Sequence, residues 1–173
     1  MADPTLTPAE VARLLPATVA VFRAELAAVP ERVLAWHPAP GEWCVKEVLG
    51  HLLEADRRGF AGRIRIILGA DTPALEGWDV VAVAAARQDC GKPVAGLLEE
   101  LAALRADAAT LVGRLLAADL ERAGRHPTVG LLRVGDLLQE WVHHDRNHIR
   151  QALANVQAYV WPAMGNAQKF SGE

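Results

Sequence analysis

His144 and His148 stand four residues apart in the run His143-His144-Asp145-Arg146-Asn147-His148. On a helix that spacing stacks both imidazoles on one face, within reach of a single divalent ion. Steps of three and four through Leu137, Trp141, His144, His148 and Gln151 trace one seam, so the pair continues an apolar line toward an interior. Two buried imidazoles cost free energy unless their nitrogens find partners, which either a metal ion or hydrogen-bonding carboxylates supply. A third ligand decides between these readings. His51 is the natural candidate, because it flanks the stripe Val48, Leu52 and Ala55 of a separate helical segment. Three histidines leave coordination positions open for water or substrate, the pattern of a catalytic zinc site; a structural histidine on an amphipathic helix is the plainer alternative for His51. A variant of the H-E-x-x-H protease helix, with Asp145 for the glutamate, is rejected. Asp is one methylene shorter, and Glu173 is the only carboxylate after His148, the last histidine.

Several neighbours could tune such a site. Glu47 and Glu140 each lie four residues before a candidate ligand and Asp145 directly follows one, so each could accept an imidazole N–H or act as a base. Their plainer reading is a solvated or intrahelical charge. Gln151, one turn beyond His148, either orients that ligand or hydrogen-bonds within the core. Of the five tryptophans, Trp36, Trp43, Trp78, Trp141 and Trp161, core packing is the simpler expectation, except for Trp141 beside the histidines. His143 is rotated by about 100° from His144 and is expected to face solvent or a neighbouring helix.

These residues need helices to position them, and the composition favours helices. The chain has 173 residues, 51% apolar and 23% charged, with one Tyr and three Phe. That length fits a single domain, 1–173, which buries roughly 70% of its unfolded surface and needs no disulfide to fold. Thr7-Pro8-Ala9-Glu10 has the form of a capping box, predicting a helix to about Ala28, with Pro16 as a kink. Pro38, Pro40 and Gly41 make a loop. A second helix is predicted from Cys44 to Gly69. Residues 70–92 read as loop with a short helical turn over Val80–Arg87, and Pro93 opens a third helix through Leu115. After a polar connection over Asp119–Arg133, a fourth helix runs from Val134 to Tyr159. Without a convincing strand pair, the expectation is an all-α four-helix bundle with a tail over 160–173 whose first half packs and whose end frays.

The net charge of −3 gives no electrostatic case for nucleic acid. The N-terminal residues lack an apolar signal-peptide core, and the longest apolar run, Val80–Ala86, falls far short of the about 20 residues of a membrane span. Cys44 and Cys90 form no CxxC pair and read as reduced thiols. A soluble, cytoplasmic protein is expected.

Two segments carry a resemblance. Trp36-His37-Pro38, followed by Pro40-Gly41-Glu42-Trp43-Cys44-Val45-Lys46-Glu47-Val48-Leu49-Gly50-His51-Leu52, resembles the "W…P…GEWS-x-x-E-x-L-x-H-L" segment of the DinB/YfiT-like superfamily. His126-Pro127-x-x-Gly130 and then His144-Asp145-x-x-His148-x-x-Gln151 resemble its later "HP-x-x-G … HD-x-x-H-x-x-Q" segment. The resemblance implies up-down-down-up connectivity, a homodimer, and a divalent metal (Zn, Ni or Fe) on His51, His144 and His148. Arg122 and His126 match a recurrent family segment, with loop ordering as their expected role. Cys44 departs from the Ser common before the second helix, and a thiol caps a helix less well. Family members include transferases and an isomerase that use low-molecular-weight thiols, so the first expectation is S-transferase-type chemistry on a small electrophile, with a low-molecular-weight thiol as cosubstrate. A metal-dependent hydrolase and a non-catalytic, dimeric metal-binding bundle are the alternatives.

Overall fold

The computed structural model describes residues 5–171. Residues 172 and 173, where the tail is expected to fray, lie outside the described residues. Thr7 caps helix α1 (Pro8–Leu26) through the expected box: the Glu10 amide donates to Thr7 Oγ1 (3.3 Å) and the Thr7 amide to Glu10 Oε2 (2.8 Å). Pro16 lies inside α1 without ending it, and a single turn, α2 (Glu31–Leu34), follows.

The predicted second helix forms as two. Helix α3 (Val45–Glu54) and helix α4 (Ala61–Gly69) are joined by a π-helical turn over Ala55–Gly59, in which the Phe60 amide donates to the carbonyl of Ala55 at 2.8 Å. Apolar periodicity continues across this turn, which is why the segment reads as one helix. Helix α5 (Val80–Arg87) starts at Asp79, whose Oδ1 accepts from the Ala82 amide at 2.9 Å, and a 3-10 turn over Asp89–Gly91 leads to α6 (Val94–Val112).

The connection over 119–133 is not irregular, as the sequence suggested. After one turn, α7 (Ala117–Leu120), strands β1 (Ala123–His126) and β2 (Gly130–Arg133) pair antiparallel, with Ala123 opposite Arg133 and His126 opposite Gly130. Four-residue strands are too short for alternation to announce them. Gly130 takes a positive φ of 75° in the turn, and a Cβ on Gly124 would overlap the Leu75 side chain. The hairpin thereby clamps the loop after α4, with Leu75 donating to the Arg125 carbonyl and Arg125 to that of Pro73, both at 2.8 Å. Helix α8 (Val134–Val160) completes the fold and is followed by a 3-10 segment, Trp161–Phe170.

Packing sets the directions of the bundle. Val11 and Leu15, early in α1, share a core with Leu137 and Leu138, early in α8, and with Val112 at the end of α6. At the other end, Phe22 and Leu26 meet Leu49, Leu97 and Ala152. Helices α1 and α8 therefore run parallel, α6 runs against both, and α3 with α4 follows α6, giving the up-down-down-up order. Each fully buried Leu or Ile in these two half-cores contributes roughly 1.5–3 kcal/mol. Between the halves lies a polar layer with one residue from each wall of the bundle: Thr18, Asp56, Arg105 and Asp145. No helix among the described residues is long and apolar enough to cross a membrane.

Candidate metal centre

Antiparallel packing of α3 on α8 brings His51 to His144 and His148. His51 Nε2 lies 2.9 Å from His144 Nε2, the ring centroids are 4.4–5.0 Å apart, and one nitrogen of each ring falls within 4.8 Å of the other two. Burial drives His51 and His144 down to about 3, with neighbouring imidazoles adding to the effect, and burial lowers His148 as well, against its bond to Gln151. All three rings are therefore neutral at physiological pH, and each has a lone pair to offer.

Which nitrogen offers it is fixed for one of them. His148 Nδ1 donates to Gln151 Oε1 at 2.8 Å, so its proton sits on Nδ1 and its lone pair on Nε2. His51 and His144 turn their Nε2 atoms on one another, while their Nδ1 atoms are buried without a hydrogen-bond partner. Two imidazoles satisfied by core carboxylates would not look like this. The two Nε2 atoms share one hydrogen bond, and three neutral imidazoles that converge this closely, with the His148 Nε2 lone pair among them, fit a divalent ion.

Aromatic rings enclose the triad. Trp43 lies 4.9 Å from the His51 ring, Trp78 stacks on His51 at 5.9 Å and 19°, and Phe60 meets His144 edge-on at 5.1 Å. Trp78 also lines a cleft of about 300 Å³ with Arg57, Arg58 and Arg63. Phe60 reaches the site through the π-helical turn and Trp78 through the loop before α5, so periodicity could signal neither. Trp43 belongs to the segment that contains His51, and its position there was the one available signal.

The other candidates divide. Gln151 touches a triad histidine. Trp141 is fully buried, meets the triad through Phe60 (5.0 Å, 9°), and donates from Nε1 to Asp56 Oδ1 at 2.9 Å. Asp145 faces the polar layer instead of the histidines: Arg105 donates to both its oxygens (2.5 and 2.8 Å), Thr18 Oγ1 donates to Oδ2 (2.8 Å), and Arg105 Nε stands 2.7 Å from Asp56. Glu47 accepts the Cys44 amide and pairs with His37, each at 2.8 Å. Glu140 is exposed, on the side of Arg63 and His126. Of the two readings open for these carboxylates, a role on the triad is not what the geometry shows, since each is turned to other partners or to solvent. Arg122 donates to the Ala70 carbonyl (3.0 Å), and His126 meets Arg63 (2.9 Å) and the Thr128 amide (3.2 Å), so both order the hairpin. His143 is exposed and pairs with Asn147.

A family model described as the DinB superfamily matches residues 14–152. The structure is similar to that of YfiT from Bacillus subtilis, with a TM-score of 0.82 and 19% identity over 93% of this chain and 94% of that one. YfiT is described as a probable metal-dependent hydrolase with an unusual four-helix bundle topology. Identity at that level shows the shared fold. No curated protein matches the chain.

Proposed function

The chain belongs to the DinB superfamily, and from that premise we propose that His51, His144 and His148 hold a divalent metal ion in an enzyme that joins a low-molecular-weight thiol to a small electrophile. The convergence of three neutral imidazoles from two helices, one buried and two half-buried, carries this reading. All-imidazole donors suit Zn, Ni or Fe. Such an ion supplies positive charge that lowers the pKa of a thiol or a water molecule.

The chain's own residues do the rest. Gln151 holds His148 in the tautomer that presents Nε2. Trp43, Trp78 and Phe60 exclude water and offer flat apolar faces to a small substrate. Arg63 brings a positive charge to the cleft beside Trp78, where Arg57 and Arg58 are already paired with Glu54 and Glu100 and Glu76 also lines the wall. The choice of a thiol over water rests on intrinsic acidity: a free thiol has a pKa of about 8.5 and water one of about 15.7, so the same positive charge ionises the thiol more fully, and no carboxylate stands at the triad to assist water. Asp145, Glu47 and Glu140 are all turned elsewhere. Water as the nucleophile is the second reading, favoured by the fold shared with a protein described as a probable metal-dependent hydrolase.

Elemental analysis of the untagged protein beside His144→Ala is the first test. One equivalent of metal more in the native chain than in the variant is expected; a native chain whose uptake of Zn²⁺ and Ni²⁺ does not exceed the variant's overturns the proposal. Metal-dependent conjugation of a low-molecular-weight thiol to a model electrophile then supports thiol transfer. Label from isotopic water in a cleaved product supports hydrolysis in its place. A homodimer belongs to the same reading, and sedimentation that finds only monomer at micromolar concentration counts against it.

A further inference from the structure

Cys44 and Cys90 are the chain's two cysteines, and although 46 positions separate them their Sγ atoms lie 3.0 Å apart. Beside them, His37 Nε2 and Glu47 Oε2 are 2.8 Å apart. One donor atom from each of these four side chains falls within 4.8 Å of all the others. We propose that Cys44, Cys90, His37 and Glu47 form a second cation site, at the start of α3, for a thiophilic divalent ion such as Zn²⁺.

Three segments of chain are shaped to make this cluster. Cys44 occupies the N-cap of α3, and Glu47, one turn in, has its carboxylate held beside the sulfur by the Cys44 amide at 2.8 Å. The N–H groups of a helix start favour negative charge there, but burial, the contact with Cys90 and the Glu47 carboxylate push the Cys44 thiol well above its ordinary value, so it is the charge of an ion that would draw off its proton. Cys90 arrives on the 3-10 turn after α5, which can approach because residue 50 is Gly: a Cβ there would overlap the Asp89 carboxylate. Asp89 is anchored by Arg87 Nε (2.6 Å) and Lys92 Nζ (2.7 Å), so the position of Cys90 is held independently of any contact between the sulfurs. The loop between α2 and α3 supplies His37, which is exposed and gives an ion a route in from solvent.

The donor set selects the ion. Two sulfurs, an imidazole and a carboxylate in one cluster suit tetrahedral Zn²⁺ and disfavour Mg²⁺ or Ca²⁺, which prefer oxygen. Both thiols release their protons to solvent on binding. Two thiolates and one carboxylate leave one negative charge over after a divalent ion; beside the cluster stands the buried Lys46, whose Nζ donates to the Cys90 carbonyl at 3.1 Å and is shared with the exposed Glu31 at 2.8 Å. Cys90 Sγ donates to the Ala35 carbonyl at 3.2 Å, and Glu47 is held by the Cys44 amide and His37, so an incoming ion meets four donors already assembled. The site stands apart from the histidine triad, since Cys44 and His51 are separated by about 10 Å along the helix axis, and it does not depend on what the triad does.

Co²⁺ titration of the reduced, full-length protein tests the proposal, because the triad carries no sulfur and a thiolate-to-cobalt charge-transfer band reports this site alone. The expected result is a near-ultraviolet band that persists in His144→Ala, where it saturates at one equivalent per chain, and disappears in Cys44→Ser and in Cys90→Ala. Cys44→Ser keeps a helix-capping side chain, and circular dichroism of both variants verifies the fold. Zn²⁺ should displace the band and protect both thiols from alkylation. Absence of the band at saturating Co²⁺, with both thiols freely alkylated, overturns the proposal. So does isolation of the native chain with Cys44 and Cys90 as a disulfide that persists when Zn²⁺ is supplied.

Discussion

His144 and Asp145 are adjacent in α8, and each belongs to a buried polar cluster drawn from several helices, yet the clusters are opposite in kind. Around Asp145 each charge faces its complement: Arg105 lies between Asp145 and Asp56, Thr18 donates to one carboxylate and Trp141 to the other, and Arg105 Nε and Asp56 Oδ2, which lack hydrogen-bond geometry, form an ion pair at 2.7 Å. Around His144 the accounts stay open. Three neutral rings face one another, and two of their nitrogens are buried without a hydrogen bond. The closed cluster takes one residue from each wall of the bundle and so specifies which helices meet and in what register. The open cluster has lone pairs left over, which mark a place for something the chain does not itself provide. Burial of polar groups alone distinguishes neither.

The sharpest way to break this comparison is to remove the cation of the closed cluster. Arg105→Met leaves two carboxylates buried without a counter-ion and should cost about 3–5 kcal/mol of stability. Urea unfolding of metal-free protein measures it, and a loss under about 1 kcal/mol would show that the layer is not closed as described. At the open cluster, Gln151→Leu should leave the fold intact but lower metal affinity roughly 10- to 100-fold, because His148 loses the acceptor that fixes its tautomer. Competition with a chelator gives the number, and unchanged affinity would reduce Gln151 to a packing residue.

A third set of charges grades the comparison by pH. Burial works to raise Glu54, but hydrogen bonds from Arg58, Arg57 and Arg87 outweigh it and hold the carboxyl at about 2, well below the ordinary carboxylate range. A carboxyl lowered by folding contributes stability that is complete above the unfolded pKa of about 4.3 and is lost as pH falls toward 2. With Arg57 and Arg58 partly exposed, solvent screening reduces that contribution to about 1–2 kcal/mol. Glu54→Gln should therefore lower stability at pH 7 by about that amount and flatten the acid limb of the unfolding curve between pH 4 and 2. An acid limb that keeps its slope would assign the loss to other carboxylates.

The meeting of the three histidines was legible because helical spacing and two sequence segments both point to it, and Gln151 follows from the same periodicity. Asp145 was not, and the reason is geometric: one residue along a helix is a rotation of about 100°, enough to move a carboxylate from a histidine face to an arginine in another quadrant. Sequence adjacency to a ligand is thus poor grounds for a role on it. Phe60 depends on a π-helical turn that leaves the apolar period undisturbed, and Trp78 on a loop with no period. The bundle itself was readable from its apolar stripes, whereas the hairpin over 123–133 was hidden by strands of four residues.

The finest separation of the two clusters comes from making the same substitution at both adjacent positions. His144→Leu removes an imidazole whose Nδ1 is buried without a partner and fills most of its volume with apolar atoms, so the metal-free protein should change in stability by no more than about 1 kcal/mol. Asp145→Leu strips Arg105 and Thr18 of their shared acceptor and falls under the larger cost already given for a broken buried pair. Urea unfolding of both variants in the presence of a chelator makes the comparison. A loss at His144 equal to that at Asp145 would make the histidine a structural element of the core, and the open cluster would then be a second closed one with partners yet to be named. Near-neutrality at His144, together with loss of metal uptake, leaves ligand binding as the reason for three imidazoles to be buried there.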